Sequence, residues 1–199
     1  MSFSSAEHMD HTLHHLLASF GEFSAEDIDA GMKVMIPKTF QKDDYLIQAG
    51  ATCDWIGFVR SGIVRNYYIS SKDEEVTYCL TFPHQFVTAY SSFLQNEPTF
   101  ETIHAMTEVD MFVIYRDLYQ ELIHSSPAWL RFSKFFAEQS YVLMENRLLA
   151  LQMKSAEDRY KDLLAHNPEY IQQVPLKYLA SYLGISQRHL SRLRSKKAF

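Results

Sequence analysis

Cysteine is scarce in this 199-residue chain, which has only Cys53 and Cys79. Two thiols cannot supply a disulfide framework, a four-thiolate zinc site or an iron–sulfur cluster, and a reducing, cytoplasmic setting is the simplest one for them. Glycine and proline number six each, too few for a collagen-like or low-complexity chain. No stretch reaches the ~18 uninterrupted apolar residues of a membrane span. Residues 1–20 carry Glu7 and Asp10 but no Lys or Arg, so a secretory leader, which begins with basic residues, is not expected. Acid is missing from the far end: between Pro175 and Phe199 there is no Asp or Glu, against six bases, Lys177, Arg188, Arg192, Arg194, Lys196 and Lys197.

With 47% hydrophobic and 22% charged residues, the chain can bury a core of globular size. Its net charge of −5 conceals an asymmetry: removing the six bases above from the 19 Lys and Arg leaves 13 against 24 acids, so residues 1–174 carry −11 and 175–199 carry +6. Such a division suits a small polyanion-binding module on a larger acidic body.

The periodicity divides the chain. From Ala6 to about Val34, Leu13, Leu16, Leu17 and Phe20, then Ile28, Met32 and Met35, fall near helical spacing, and Ser24 with Asp27 forms a cap signal, so two short helices are expected. From Met35 to Ile114 the pattern becomes short Val/Ile/Thr/aromatic runs: Thr39–Phe40, Tyr45–Ile47, Trp55–Val59, Ile63–Ile69, Glu75–Phe82, Thr102–Ala105 and Met111–Ile114. Turn residues such as Lys42-Asp43-Asp44, Ser61-Gly62 and Asn96-Glu97-Pro98 separate them, which predicts a β-sandwich or barrel. Ser126-Pro127 then opens a long helix. In it Phe132, Gln139, Asn146 and Met153 form one heptad position and Phe135, Val142 and Leu149 the other, with Leu143 and Ala150 widening the stripe. A parallel two-fold helix pair is expected, its register set by the amides, although a helix packed on its own domain fits three heptads too. Ser155 with Asp158 predicts a new helix from Ala156 to about His166.

The segment from Pro175 to Leu193 is the most informative. Pro175 starts a helix with Leu176, Leu179 and Leu183 on its apolar face. Ala180 is small where a second helix crosses, Gly184 permits a left-handed turn, and Ser186 caps the next helix. A small residue, a turn glycine four later and Leu190 six after that is helix-turn-helix spacing. Stepped at about 100° per residue from Leu190, Leu193 lies near 300° while Ser191, Ser195, Arg188 and Arg192 lie between about 100° and 200°, facing away from the core. Gln187, Arg188, Ser191, Arg192, Ser195, Lys196 and Lys197 are therefore the candidate DNA-binding residues, with Arg194 adding charge near the backbone.

A β-roll, a long helix and a C-terminal helix-turn-helix in this order resemble the Crp/Fnr family of bacterial transcription regulators. Tyr45-Leu-Ile-Gln-Ala-Gly50 and Trp55-Ile-Gly-Phe-Val-Arg-Ser-Gly62-Ile-Val resemble the family's glycine-punctuated strands. Phe82-Pro-His-Gln-Phe-Val through Glu101-Thr-Ile-His-Ala-Met-Thr107 stands at its phosphate-binding cassette, and Leu179-Ala-Ser-Tyr-Leu-Gly-Ile-Ser is similar to shorter members from Bacteroidetes-like bacteria. The resemblance implies an α+β protein: an N-terminal β-roll (double-stranded β-helix or jelly roll) with flanking helices over 1–128 as sensor, a dimerisation helix over 129–153, and a helix-turn-helix DNA-binding domain over 154–199. It implies a cytoplasmic homodimer on double-stranded, palindromic DNA, with RNA polymerase as a further partner, an effector of unknown identity and no membrane.

The sequence also departs from the family. Cyclic-nucleotide-binding members carry a Gly-Glu pair for the ribose and an Arg for the phosphate. Here those places read Thr88-Ala89 and Thr99-Phe100-Glu101, and a buried phosphate without a cation is costly, so cyclic AMP and cyclic GMP are not expected to bind. Phe82, Phe86, Tyr90, Phe93 and Thr99 are candidates for an effector pocket, although such aromatics also serve as plain core. His84 and His104 are the candidates for a heme, and His8, His11 and His15 share a helical face; ordinary surface or core roles account for all five, and no metal or cofactor is expected. The family's Arg-Glu-Thr in the recognition helix reads Gln187-Arg188-His189, with Arg192 matching the arginine one turn on, so the target sequence does not carry over. The alternatives are a cupin-like, metal-dependent enzyme, which needs a His-x-His pair that is missing, and a partner-binding sensor without DNA function. An enzyme is not expected.

Overall fold

A computed structural model describes residues 11–196. In chain order its elements are α1 (His11–Ser19), α2 (Ala25–Val34), β1 (Ile36–Phe40), β2 (Tyr45–Ile47), β3 (Trp55–Ser61), β4 (Val64–Ile69), β5 (Glu75–Thr81), β6 (Phe86–Val87), α3 (Tyr90–Gln95), β7 (Glu101–Ala105), β8 (Val109–Tyr115), α4 (Arg116–Ser125), α5 (Pro127–Met153), α6 (Ala156–His166), α7 (Pro168–Gln173), α8 (Leu176–Leu183) and α9 (Gln187–Lys196). The mixed helix-and-strand class, the roll and the long helix agree with the sequence reading; β6, α3, α4 and α7 are additions to it.

The strands form two four-stranded sheets, ordered β1-β8-β3-β6 and β2-β7-β4-β5. The period of two along a strand decides which side chain enters which core. Val109, Met111 and Val113 of β8 join Val59, Val64, Ile47 and Ile103 in one buried cluster. Their neighbours Phe112 and Ile114, with Ile56 and Phe58 of β3, turn the other way and pack on Leu13, Leu17, Ile28, Tyr119, Leu122, Trp129 and Phe132 from the helices. One sheet thus carries a core on both faces.

The chain divides into two compact units, one running to Arg65 and resuming over Thr81–Ala137, the other made of Asn66–Leu80 and the residues from Glu138 onward. In the first, α2 opens with the expected capping box between Ser24 and Asp27. Asp27 also accepts 2.5 Å from the Ser126 hydroxyl, and its backbone carbonyl accepts the Trp129 indole N–H at 2.9 Å. Gly31 faces the same indole so closely that a Cβ there would stand 2.1 Å from the ring. The start of α5 is therefore fastened to α2 by hydrogen bonds and by close packing.

The second unit contains the outer part of the β4–β5 hairpin, the latter part of α5 and the helices α6 to α9. Ser155 caps α6 by accepting from the Asp158 N–H at 3.1 Å, as expected. Buried in this unit are Tyr160, Leu163, Tyr170, Val174, Leu179, Ala180, Leu183, Leu190 and Leu193.

Candidate nucleic-acid interface and sensor cassette

The helix-turn-helix follows from three local features. Helix α8 buries Leu179, Ala180 and Leu183. It stops in a Schellman motif, in which the Gly184 N–H donates to Ser181 O and the Ile185 N–H to Ala180 O, each at 3.0 Å. Gly184 takes φ +67° there, and a Cβ would stand 3.0 Å from Leu151, so both backbone and space call for glycine. The Ser186 hydroxyl then accepts the His189 N–H at 3.2 Å and caps α9.

Leu190 and Leu193 anchor α9, and Gln187, Arg188, Ser191, Arg192 and Ser195 are exposed on its other side. These five site residues share one outward surface, and Lys177 on α8 is exposed as well. Lys196 ends α9, with its side chain outside the description, and Lys197 lies outside the described residues. Arg194 departs from expectation: it is half-buried, and its Nη2 donates to Ile171 O at 2.9 Å, bracing the module instead of adding to the outward charge.

The expected dimerisation stripe is exposed only in part: its first position, Phe132, is buried in the chain's own core against Phe23 and Trp129, and the later positions are open. Phe135, Val142, Leu149 and Met153 of α5 are 44%, 43%, 43% and 79% accessible, and at about 100° per residue they lie within about 40° of one another. Gln139 and Asn146 beside them are exposed too.

In the roll, the cassette between β6 and β7 is held by its own small side chains. The Thr88 hydroxyl donates to Trp55 O at 2.7 Å, and that of Thr99 accepts the Glu101 N–H at 3.0 Å. Ala89 is fully buried, whereas Phe100, at the family's Ser/Thr place, is 92% exposed. Arg116 secures the cassette helix α3 by donating from Nε to Phe93 O at 2.9 Å and from Nη2 to Ser92 O at 3.3 Å, a cation on helix C-terminal carbonyls, and by a further bond to the Asn96 side chain. Nothing in the sequence pattern marked Arg116 for this role.

The candidate pocket residues scatter. Phe82 and Phe93 are buried, and Phe93 is core against Tyr119. Thr99 is buried and tied through its backbone to Gly50 and Ala51. Tyr90 packs edge-on against Phe136. Phe86 alone of the five lines the apolar slot beneath α5, with Met35, Ile56, Ile114, Tyr119, Trp129, Phe132 and Phe136, whose volume of about 20 Å³ holds a single water-sized sphere. His104 is buried, with Nε2 3.6 Å from Asp43, and His84 sits at a turn with φ +69°. Among the described residues no three His, Cys, Asp or Glu side chains are grouped to hold a metal ion, and no helix is long and apolar enough to cross a membrane. His8 lies outside the described residues.

Residues 37–126 match the family model of the cyclic nucleotide-binding domain. The fold matches FixK2 from Bradyrhizobium japonicum (17% identity, 82% of this chain and 84% of that one, TM-score 0.68). It also matches CLP of Xanthomonas campestris, described as a c-di-GMP responsive global regulator (19%, 87% and 91%, TM-score 0.67). A transcriptional regulator assigned to the Crp/Fnr family from Eubacterium rectale matches as well (16%, 89% and 84%, TM-score 0.68). No curated protein matches the sequence. Residues 37–126 are thus similar to the cyclic nucleotide-binding domain. Over most of its length the chain has the fold of Crp/Fnr transcriptional regulators, as the sequence resemblance implied.

Proposed function

We propose that the chain is a DNA-binding transcription regulator that acts as a homodimer on a palindromic operator, with 1–128 as sensor, 129–153 as dimerisation segment and 154–199 as DNA-binding domain. The observation that carries this is α9: two buried leucines on one side and Gln187, Arg188, Ser191, Arg192 and Ser195 exposed on the other, after a turn that only glycine fits. An arginine fork suits the two acceptors on a guanine edge, or a phosphate. The exposed Phe135–Val142–Leu149–Met153 stripe supports pairing with a second copy, since two recognition helices about one DNA turn apart are what a two-fold operator needs.

The sensor does not take cyclic AMP on this reading. Residues 88–101 contain no Lys or Arg, and the hydroxyls of Thr88 and Thr99 are engaged within the roll. Selection of sites from random DNA by the full-length chain tests the function, with a palindromic motif as the expected result and the absence of any enriched motif as its refutation. Titration calorimetry with cyclic AMP should show no binding, and micromolar binding would refute this account of the sensor.

A further inference from the structure

Strand β5 lies at one edge of the second sheet, and an edge strand presents backbone donors and acceptors in need of partners. Helical side chains supply them. The Thr77 N–H donates to Ser181 Oγ at 2.9 Å, and Ser181 Oγ donates to Glu75 O at 3.1 Å. Arg147 Nη2 donates to Thr77 O at 3.2 Å, and the Tyr170 hydroxyl to Leu80 O at 3.0 Å. Glu75 and Thr77, two apart, expose their polar groups on the same side of the strand, so Ser181 and Arg147 stand where a further strand would pair. Serine is a mediocre helix former because its hydroxyl competes for backbone groups; in α8 that hydroxyl is directed to the sheet edge instead.

Arg147 does more than cover an edge. The same Nη2 donates to Tyr182 O at 2.8 Å, and the guanidinium lies 4.0 Å over the Tyr182 ring. Arg159 Nε takes the next carbonyl, Leu183 O, at 3.0 Å. The last carbonyls of a helix have no partners within it and favour cations, and here one of those cations comes from the long helix α5. Tyr170 and Tyr182 pack at 5.7 Å beside this junction, and burial raises the pKa of both phenols, which keeps them neutral.

We propose that Arg147 and Ser181 are positioning residues that clamp α8 to the β4–β5 hairpin and to α5, and thereby set where the recognition helix α9 stands; this rests on the DNA-binding reading above. Helix α9 is tied to α8 by the Gly184 turn, so whatever fixes α8 fixes α9. The hairpin strands continue by chain into the roll at Arg65–Asn66 and Leu80–Thr81, so a shift of the hairpin is delivered to α8 through these bonds. The clamp makes no base contact; in a dimer it governs the separation of the two recognition helices, not which bases they prefer.

The test compares full-length wild type with Ser181→Ala and Arg147→Met, the first being the milder change. Amide exchange of residues 75–80 should quicken by about tenfold or more, as for loss of a hydrogen bond, with β8 unaltered as the control for folding. On DNA, affinity for an operator with two half-sites should fall about tenfold and the optimal half-site spacing should broaden, while base preference and affinity for a single intact half-site stay at wild-type values. A purely structural loss would lower half-site and whole-site binding together. Unaltered exchange in both variants overturns the clamp, and faster exchange with unaltered whole-site affinity and spacing overturns its positioning role. A wild-type chain that binds no DNA overturns the functional reading, and this role with it, whatever the exchange shows.

Discussion

At the scale of single residues, the two outward arginines and the one that turns inward obey the same geometry. Arg188 and Arg192 lie opposite Leu190, whereas Arg194 lies only about 40° from it on a helical projection, so its apolar stem packs inward while its tip finds Ile171 O. The outward face is legible in the sequence because angle alone decides exposure; Arg194 departs from the outward charge because its angle, not its charge, sets where it goes. Arg188→Ala or Arg192→Ala should cost about 1–3 kcal/mol on the preferred operator and relax base choice at one position per half-site. Lys197→Ala should weaken all sequences alike; selections that retain the wild-type motif in both arginine variants would sink the base-reading role. Asp27 gives a prediction of another kind. Bonds from the Ser126 and Ser24 hydroxyls hold its carboxyl below the ordinary value of 3.8. A carboxyl lowered in the folded state stabilises above its unfolded pKa, and that contribution is lost as pH falls through the folded one. The unfolding free energy of Asp27→Asn in urea should therefore lie below that of wild type at neutral pH, by about 1 kcal/mol at this half-buried, hydrogen-bonded site. The gap should begin to narrow as pH falls below about 4 and close once pH has passed below the folded-state pKa; a gap that does not narrow with falling pH would assign the difference to packing.

At the scale of elements, what the sequence disclosed was local chemistry and what it hid was context. Ser24 with Asp27, Ser155 with Asp158, and Gly184 with Ser186 each placed a helix boundary, because a cap is made by residues within a few positions of one another. Helices α3 and α4 have Ala89 and Tyr115 at their N-cap positions, neither of which makes a side-chain cap, and α4 follows β8 without a break, so the sequence carries no boundary signal there. The two-residue β6 is a strand only because it pairs with β3 at Gly57 and Phe58. The docking of α8 on β5 joins residues more than a hundred positions apart, which no periodicity reports. For α5 the heptad was legible, and the exposure of Val142 and Leu149 suits the pairing proposed. Val142→Asp places a charge on that stripe and should turn a sedimenting dimer into monomer at micromolar concentration with the fold intact by circular dichroism. A wild-type monomer, or a variant that remains fully dimeric, would move the interface elsewhere.

At the scale of the whole molecule, charge is distributed as the proposed function requires, +6 over residues 175–199 and −11 over the rest. An acidic body repels DNA, so attraction has to come from the basic module, and counterion release makes such binding steeply dependent on salt. Each phosphate neutralised contributes about −0.9 to the slope of log K against log salt on duplex DNA. A dimer that uses several bases from each module should show a slope of several units, and Lys197→Ala, removing one contact per module, should reduce it by about two. Arg194, held at Ile171 O, should leave the slope unchanged when replaced by an uncharged residue if the module still folds. Measuring affinity for one operator across a salt series for wild type, Lys197→Ala and Arg194→Met separates the two kinds of base. A flat wild-type response would mean that the basic module is not the DNA-binding surface. A slope lowered as much by Arg194→Met as by Lys197→Ala would mean that Arg194 leaves its internal carbonyl on binding, so that the module rearranges on DNA.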